Sequence, residues 1–308
     1  MPSTCTHTFK RSDAPSSIQG QCIIQEIFDL HTEVCGAEYP PLPHDEDGEC
    51  IFHSTHEAWK REYEGGLWAV RLFSALQDLN GLFPEHGRVA NLFPDGHVDL
   101  REITWIGMPV SELHNVTGQP IGATLDLSGF CLDHLKVWLV NSKWLDRVTS
   151  QKGEWHTLYW ANSHFFEEVN FSESQFYSLG FHGCTFEDTC EISASFHTSF
   201  MTFSHCVVKG DFHLNDNEFE AEVSLNYSRF EGFDMAEIGS VFKKYVDFTA
   251  SQFYTMAKIT FCTFEQEVTF LDTVFHRRAF FQGNTFKRSA VFKREKAEAP
   301  LFQEVIDF

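Results

Sequence analysis

An eleven-residue repeat constrains this chain more than any other feature of its sequence. Residues 246–278, written in elevens, read VDFTASQFYTM, AKITFCTFEQE and VTFLDTVFHRR. In each line a small apolar residue is followed by a larger one two places later and by a Phe five places after that, as at Val246, Phe248 and Phe253. The fold must therefore return equivalent residues to equivalent positions at this fixed interval.

The phase of the repeat distinguishes a strand from a helix. Eleven residues span almost three helical turns, so the period alone would also suit a right-handed coiled coil. On a helix, Phe248 would lie on roughly the opposite side from Val246, because each residue advances the chain by about 100°. On a strand the two residues share one face. Frequent Phe, Thr, Val and Ser also favour strands.

Two interleaved columns of residues carry the repeat, with successive members mostly five and six residues apart. The first column is Trp160, Phe171, Phe181, Ile192, Phe203, Leu214, Leu225, Ala236, Phe248, Ile259, Phe270, Phe281 and Phe292. The second is Trp155, Phe166, Phe176, Phe186, His197, Val208, Phe219, Phe230, Phe242, Phe253, Phe264, Phe275 and Phe286. Trp144, Trp138 and Leu127 extend the pattern backwards. Only His197 in the two columns is not apolar, and we expect a core histidine with a hydrogen-bond partner there.

The columns predict an all-β solenoid in which each half-repeat is one very short strand followed by a corner. Four such sides would close one coil of about 22 residues, and stacking at about 4.8 Å would place each Phe on the Phe of the coil below. The chain contains 33 Phe, so a large aromatic interior is required. We expect seven or eight coils, a rod of about 35 Å.

The pattern between Leu127 and Phe292 resembles the pentapeptide-repeat family, in its Phe-rich form with alternating five- and six-residue spacing. The resemblance implies a right-handed quadrilateral β-helix. It is interrupted at His197, by an insertion between Glu231 and Val241, and in the entry before Trp155. Some family members are acidic rods that mimic duplex DNA and bind a topoisomerase. Their repeats are centred on Leu, whereas these are centred on Phe.

Residues 1–97 are predicted to form a small α-containing module that caps the rod. Cys50-x-x-His53 has the spacing of a zinc knuckle, and Cys35 lies upstream in a turn-rich loop. The fourth zinc ligand would be Cys5, with Cys22 as the alternative, because Cys22 lies in an apolar alternation that predicts a strand. The CIFH element also resembles the N-terminal Cys-rich module of some pentapeptide-repeat proteins. Alternatively, Cys35 and Cys50 are ordinary buried thiols.

A helix is predicted directly after the knuckle. Ser54-x-x-Glu57 is a capping box that should start the helix at Thr55, and Gly65-Gly66 should interrupt it. Asn80-Gly81 should end it. We expect this module to cover the first coil, because an open solenoid end exposes unpaired backbone. Residues 98–110 predict strands that lead into a solenoid spanning 98–293.

The formal net charge is −21, which argues against direct nucleic-acid binding and favours a protein partner. No apolar stretch is long enough for a signal peptide or a membrane span, so we expect a cytoplasmic protein that does not bind membranes. In that compartment the nine cysteines are thiols or metal ligands. No motif for catalysis or phosphate binding is present, so we expect no enzymatic activity.

The charges are distributed unevenly along the predicted rod. Between Glu167 and Glu237 fourteen acidic residues accompany only Lys209 and Arg229, whereas ten basic residues and five acidic ones lie between Lys243 and Lys296. The acidic coils either solvate the rod or imitate DNA for a nucleic-acid enzyme. The candidate contact residues there are Glu187, Asp188, Asp216, Glu218, Glu220 and Glu222.

The tail, residues 294–308, departs from the repeat. Pro300 should break any continuing strand. Leu301, Phe302, Ile306 and Phe308 are large apolar residues near a terminus. They are expected to fold back over the last coil or to dock on a protein partner. Together these features predict a scaffold or adaptor, with an acidic DNA mimic as the alternative.

Overall fold

The computed structural model describes residues 23–108, 123–235 and 239–293, together with the backbone of residues 306 and 307. Residues 124–291 form a β-solenoid of about eight turns, and a small helical part precedes it. The predicted all-β solenoid with a small capping module is therefore confirmed. Among the described residues, no helix is both long and apolar enough to cross a membrane.

Each turn of the solenoid contributes to four sides, which we number 1 to 4 in chain order. Three long strands, Cys131–Val140, Glu154–Ala161 and Gln175–His182, run from side 1 into side 2, and Val207–His213 and Arg229–Met235 run from side 3 into side 4. Side 1 is completed by Phe196–His197, Glu218–Phe219, Val241–Phe242, Thr263–Phe264 and Thr285–Phe286. Side 2 is completed by His97–Asp99, Met201–Ser204, Val223–Ser224, Val246–Asp247, Val268–Thr269 and Ala290–Val291.

The other two sides are built in the same way. Side 3 also contains Thr104–Trp105, Lys143–Trp144, His164–Phe165, Thr185–Phe186, Gln252–Phe253 and Val274–Phe275. Side 4 also contains Thr124–Asp126, Arg147–Thr149, Val169–Asn170, Cys190–Glu191, Ala257–Ile259, Ala279–Phe280 and Ile306–Asp307. Neighbouring strands pair in parallel, so each residue lies beside its counterpart one turn away. On side 1, for example, Phe242 pairs with Phe219 and Phe264.

Stacked rings fill the interior, as the repeat predicts. The rings of Phe219, Phe242 and Phe264 are nearly parallel, with successive centroids 4.9 Å apart. On side 2, Phe270 lies between Phe248 and Phe292 at 4.8 and 4.6 Å. Face-to-face contact at this spacing removes almost all of the ring surface from water, so burial of the rings supplies much of the stability.

The register differs from the predicted one at three positions. Phe166 is 40% exposed, and Phe165 is the buried residue that stacks on Phe186 at 4.6 Å. Trp138 is 39% exposed, whereas Leu139 is buried beside Trp160. In each case the predicted residue is wrong by one, and a shift of one residue moves a side chain to the opposite face of a strand.

The third difference lies within the insertion between Glu231 and Val241. Met235 is buried and pairs with Ile259, so it occupies the inward position that was predicted for Ala236. Ala236 itself lies outside the described residues. Both Ala and Met are apolar, which is why the apolar pattern alone could not select between neighbouring positions here.

His197 lies inside the solenoid, with its ring stacked between Phe176 at 5.2 Å and Phe219 at 4.6 Å. Among the described residues neither ring nitrogen finds a hydrogen-bond partner, so the expected partner is not found there. Burial lowers the pKa of His197 to about 3, which keeps the ring neutral at physiological pH.

Small buried polar residues close the corners of the solenoid. The hydroxyl of Ser163 donates to the carbonyl of Leu139 at 3.1 Å, and that of Ser228 donates to the carbonyl of Phe203 at 2.8 Å. At the opposite corner, the side-chain amide of Asn217 donates to the carbonyl of Ile192 at 2.7 Å. These bonds satisfy carbonyl groups that the bends remove from the strand ladders.

The N-terminal part contains the helices α1 (Ile23–Cys35), α2 (Glu57–Glu62), α3 (Gly65–Asn80) and α4 (Gly87–Leu92), and a 3₁₀ helix (Pro94–Gly96). The strand predicted around Ile23 is wrong, because Ile24, Ile27, Phe28 and His31 follow a helical period and are buried together on α1. The predicted break near Gly65 and the end at Asn80 are confirmed.

The predicted helix start at Thr55 is wrong. Helix α2 begins at Glu57, and the hydroxyl of Ser54 accepts a hydrogen bond from the amide of His56 at 3.1 Å instead of capping the first turn. The short side chain therefore stabilises the turn before the helix, a common alternative for Ser.

Helix α3 covers the first turn of the solenoid. The ring of Phe73 lies 5.6 Å from that of Trp105 and 6.3 Å from that of Trp155. Trp105 in turn stacks on Trp144 at 4.9 Å, which begins the aromatic column of side 3. The strands predicted between residues 98 and 110 include His97–Asp99 and Thr104–Trp105, and they form the first rows of sides 2 and 3.

Candidate functional site

Aromatic side chains project outward from one side of the solenoid. They lie on side 2 or at the corner before it, in five successive rows, and we call them the aromatic patch: His97, Trp138, His156, Tyr159, Tyr177 and Phe200. Trp138, Tyr177 and Phe200 are 39%, 51% and 50% exposed. Aromatic rings that are exposed next to one another in successive rows make this surface a candidate interaction site.

Ring contacts hold much of the patch in place. Trp138 stacks on His97 at 5.8 Å and contacts Tyr159 at 4.9 Å, and His156 contacts Tyr177 at 4.6 Å. Tyr159 leans into the space above Gly180, where a Cβ atom would overlap its ring. Burial, Lys136 and His134 lower the pKa of His156, so this ring is neutral at physiological pH.

The sequence interpretation missed this patch because it counted Trp138 as an inward residue. The alternation could have revealed it: Val137 and Leu139, on either side of Trp138, are both apolar and both buried. When three apolar residues follow one another in a strand, the middle one must face solvent if its neighbours face the core.

Several of the predicted acidic contact residues form ion pairs along the rod. The Glu187 carboxylate pairs with Lys209 Nζ at 2.7 Å and accepts a hydrogen bond from His164 Nε2 at 2.7 Å, and Lys209 holds the pKa of Glu187 below its usual value. Glu218 and Glu220 share Lys243, at 2.6 and 2.5 Å.

The same pairing joins the acidic region to the basic one and continues within the latter. Lys258 binds Asp234 at 2.7 Å, and Lys287 binds Glu265 at 2.6 Å and lowers its pKa. The cation lies one turn after the carboxylate in both pairs, as it does for Glu220 and Lys243. The outer surface therefore carries columns of alternating charge, which reduce the potential that the carboxylates would otherwise produce.

Asp188, Asp216 and Glu222 lie at corners of the rod, and none of the described cations pairs with them. All three are exposed. Asp188 accepts a local hydrogen bond from the amide of Thr189 at 2.7 Å. Of the six predicted contact residues, these three carboxylates are the ones that no described cation neutralises.

Of the predicted zinc ligands, the structure brings two together. Cys50 Sγ lies 3.2 Å from His53 Nδ1, and both side chains are buried. Cys35 is exposed at the end of α1 and does not group with them. Cys5 and its alternative Cys22 lie outside the described residues.

A different set of potential ligands lies nearby on the surface. Among the described residues, only Asp45, Asp47 and His56 bring three potential ligand atoms within 4.8 Å of one another. Asp47 and His56 are exposed, and His56 Nε2 lies 3.6 Å from Asp47. Exposed acidic groups of this kind are common without a metal ion.

Lys60 joins the module to the solenoid, and nothing in the sequence pattern predicted its burial. Its ammonium group is fully buried and donates to the carbonyls of Phe52 at 2.8 Å and Thr104 at 2.5 Å. Burial lowers its pKa to about 7. Phe52 belongs to the knuckle segment and Thr104 to the first strand of side 3, so one side chain links the two parts.

The backbone of Ile306 and Asp307 adds a strand to side 4 beside Ala279 and Phe280. Leu301, Phe302 and Phe308 lie outside the described residues, and docking of the tail on a partner stays a prediction.

Comparisons of the chain with models of protein families, with curated proteins and with solved structures find no match.

Proposed function

We propose that this chain is a non-enzymatic interaction scaffold of the Phe-rich pentapeptide-repeat type that holds a protein partner against side 2. The supporting observation is the aromatic patch, with exposed rings in successive rows of a stiff solenoid. Aromatic residues are enriched at protein interfaces, and a preformed surface loses little conformational entropy on binding. The rigid solenoid would hold its contact residues at fixed positions when the partner binds.

The charge arrangement favours a partner that binds by apolar contact. Glu187, Glu218 and Glu220 already have cationic partners, so a basic partner would have to displace Lys209 and Lys243. An acidic DNA mimic that occupies a nucleic-acid enzyme is the alternative. It is supported by Asp188, Asp216 and Glu222, which have no cation beside them among the described residues.

A binding assay with two variants separates the scaffold from the mimic. A pull-down from the native host identifies the partner, and its dissociation constant is then measured with purified proteins. We expect the triple substitution Trp138→Thr, Tyr177→Thr and Phe200→Thr to weaken binding at least about tenfold, because exposed aromatic anchors dominate interface energies. Raising salt from about 50 to about 500 mM should change the constant little.

The matched control replaces the three carboxylates that have no described cation beside them, with Asp188→Asn, Asp216→Asn and Glu222→Gln in one variant. The scaffold proposal expects wild-type affinity from this variant. If it loses binding while the aromatic variant keeps it, and if affinity falls steeply with salt, the mimic is favoured and the scaffold proposal is wrong. Circular dichroism of both variants verifies that the solenoid is intact.

We also propose that Cys50 and His53 contribute to a zinc site in the capping module. A buried thiol beside an imidazole suits zinc, and bound metal would stabilise the turn before α2. A structural zinc site has four ligands, so the remaining two would be Cys5 and Cys22, because the exposed position of Cys35 does not fit.

Metal removal tests this site. Purified protein should contain about one zinc per chain, and a chelator should lower the melting temperature because zinc binds only the folded state. Cys50→Ala should abolish both effects, and Cys131→Ala, on side 1, should change neither. Absence of zinc, with no effect of chelator, would refute the site.

A further inference from the structure

A proline-rich segment of the capping module has a backbone that its sequence alone constrains. Residues 38–44 read EYPPLPH, and residues 36–43 belong to neither a helix nor a strand. Proline fixes its own φ at about −65° and restricts the residue before it to extended backbone. Tyr39, Pro40 and Leu42 each precede a proline, so the covalent structure itself holds this segment close to a left-handed polyproline II helix.

The burial of the segment follows the three-residue period of that helix. Tyr39 and Leu42, three residues apart, face the protein: Tyr39 is half-buried and Leu42 is 7% exposed. Pro40 and Pro41 are exposed, and Pro43, three residues after Pro40, is half-buried. One edge of the helix is therefore packed on the module, and the other two edges carry proline rings. We call Pro40, Pro41 and Pro43 the proline ridge.

The proline ridge is held at both ends. The ring of Tyr39 lies 4.6 Å from that of Phe28, and the Tyr39 hydroxyl lies 2.6 Å from Nδ1 of the buried His31. At the other end, the carbonyl of Pro43 accepts a hydrogen bond from the amide of Ile51 at 3.0 Å. Because the segment has already lost its conformational freedom on folding, a partner that binds it does not incur that entropic cost.

The backbone of the ridge offers hydrogen-bond acceptors. A polyproline II helix makes no internal hydrogen bonds. Among the described residues, none donates a hydrogen bond to the carbonyl of Pro40 or Pro41. Exposed proline rings beside such carbonyls are the features that aromatic-lined grooves recognise, since the rings of a groove pack on the prolines and its indole or phenol groups donate to the carbonyls.

Acidic residues flank the ridge. Glu38 precedes it, four acidic residues follow between positions 45 and 49, and residues 38–49 contain no Lys or Arg. Of these carboxylates, Glu38, Glu46 and Asp47 are exposed. A groove with basic residues at its rim is therefore attracted to the ridge, and a groove with an acidic rim is repelled.

We propose that the proline ridge is the docking site for a protein domain whose aromatic-lined groove has a basic rim, of the kind that SH3, WW and EVH1 domains provide. Pro40 and Pro41 pack on the rings of the groove, while Tyr39 and Leu42 stay packed on the module. The ridge shares no residue with the aromatic patch, so this inference does not rest on the proposed scaffold function.

Isothermal titration calorimetry of the full chain with a panel of purified SH3, WW and EVH1 domains tests the proposal. We expect at least one domain to bind saturably, with one domain per chain. The double variant Pro40→Ala, Pro41→Ala should weaken this binding at least about tenfold, because it removes the rings that the groove contacts. The matched control Pro94→Ala changes another exposed proline and should bind as the wild type does. Circular dichroism verifies that both variants are folded.

Two further measurements identify the groove. Replacement of a groove aromatic residue of the bound domain by Ala should abolish binding, and raising salt from about 50 to about 500 mM should weaken it because of the acidic flanks. If no domain of the panel binds at about 100 μM, or if the double variant binds as tightly as the wild type, the proposal is wrong. Sedimentation tests the other aromatic surface that could receive the ridge: if the wild type self-associates and the double variant does not, the ridge docks on the aromatic patch of a second copy, and the proposal is equally wrong.

Discussion

Phe165→Ala is expected to lower the free energy of unfolding by about 3–5 kcal/mol, the usual cost of removing a fully buried Phe. Phe165 is completely buried, and its ring lies between those of Trp144 at 5.6 Å and Phe186 at 4.6 Å. Rows above and below are fixed by parallel strand pairing, so the solenoid cannot collapse to fill the space. The change is measured by denaturant unfolding at equilibrium.

The adjacent residue provides a matched control. Phe166 is 40% exposed and contacts the ring of His164 at 4.1 Å on the outer surface. We expect Phe166→Ala to cost less than about 1 kcal/mol, as is usual for surface positions. Equal effects of the two substitutions would contradict the register of side 3, and a larger effect at Phe166 would restore the register predicted from spacing.

His197→Phe is expected to stabilise the protein. At neutral pH the gain should be about 1–3 kcal/mol, because the substitution removes a buried donor and acceptor that have no partner in the part of the chain that the structure describes. The side-1 column accepts Phe in neighbouring rows, with Phe219 and Phe242 4.9 Å apart. The converse substitution Phe242→His, one row beyond Phe219, should destabilise the protein by a similar amount.

The stabilisation by His197→Phe should increase at acidic pH. Burial lowers the pKa of folded His197 to about 3, whereas an unfolded histidine titrates near 6.5. As the pH falls, the unfolded chain therefore takes up the proton before the folded one does. The contribution of the neutral His197 ring to the free energy of unfolding is fully present above about pH 6.5 and is lost progressively as the pH drops towards 3. At pH 4 this protonation should have lowered the free energy of unfolding of the wild type by roughly 3 kcal/mol, and His197→Phe should not show this loss.

Unfolding curves of both proteins between pH 7 and pH 4 measure this difference. The free energies of unfolding should diverge as the pH falls below about 6.5, and parallel curves would show that His197 is not buried as a neutral ring. Other groups titrate over the same interval in both proteins, so only the difference between the two proteins reports on residue 197.

The interior of the solenoid was largely predictable because its signal is repeated. Phe219, Phe242 and Phe264 occupy one column, and any single error in spacing would have been corrected by the rows around it. The prediction failed where two apolar residues stand side by side, as at Phe165 and Phe166, or where the insertion after Glu231 shifted the count. Which of two adjacent apolar residues faces inward depends on the geometry of the corner, and the hydropathy pattern contains no information about that geometry.

The candidate sites were predicted less well. The carboxylates of Glu218 and Glu220 were assigned to a partner, but Lys243 is 25 residues further than Glu218 along the chain and only the stacking of turns brings the three together. Lys60 falls within the predicted helix, and its burial appears only when the first strand of side 3 closes over it.

The sequence by itself determined that the chain is a stacked β-structure with an aromatic interior, because a periodic apolar pattern reports which residues leave water and that burial dominates the folding energy. Only the tertiary structure decided which side chains face outward together, since contacts such as Trp138 with Tyr159 or Glu220 with Lys243 join residues about one turn apart. The stacking of turns brings surface side chains from different parts of the sequence together, and the strand register determines which of them become neighbours.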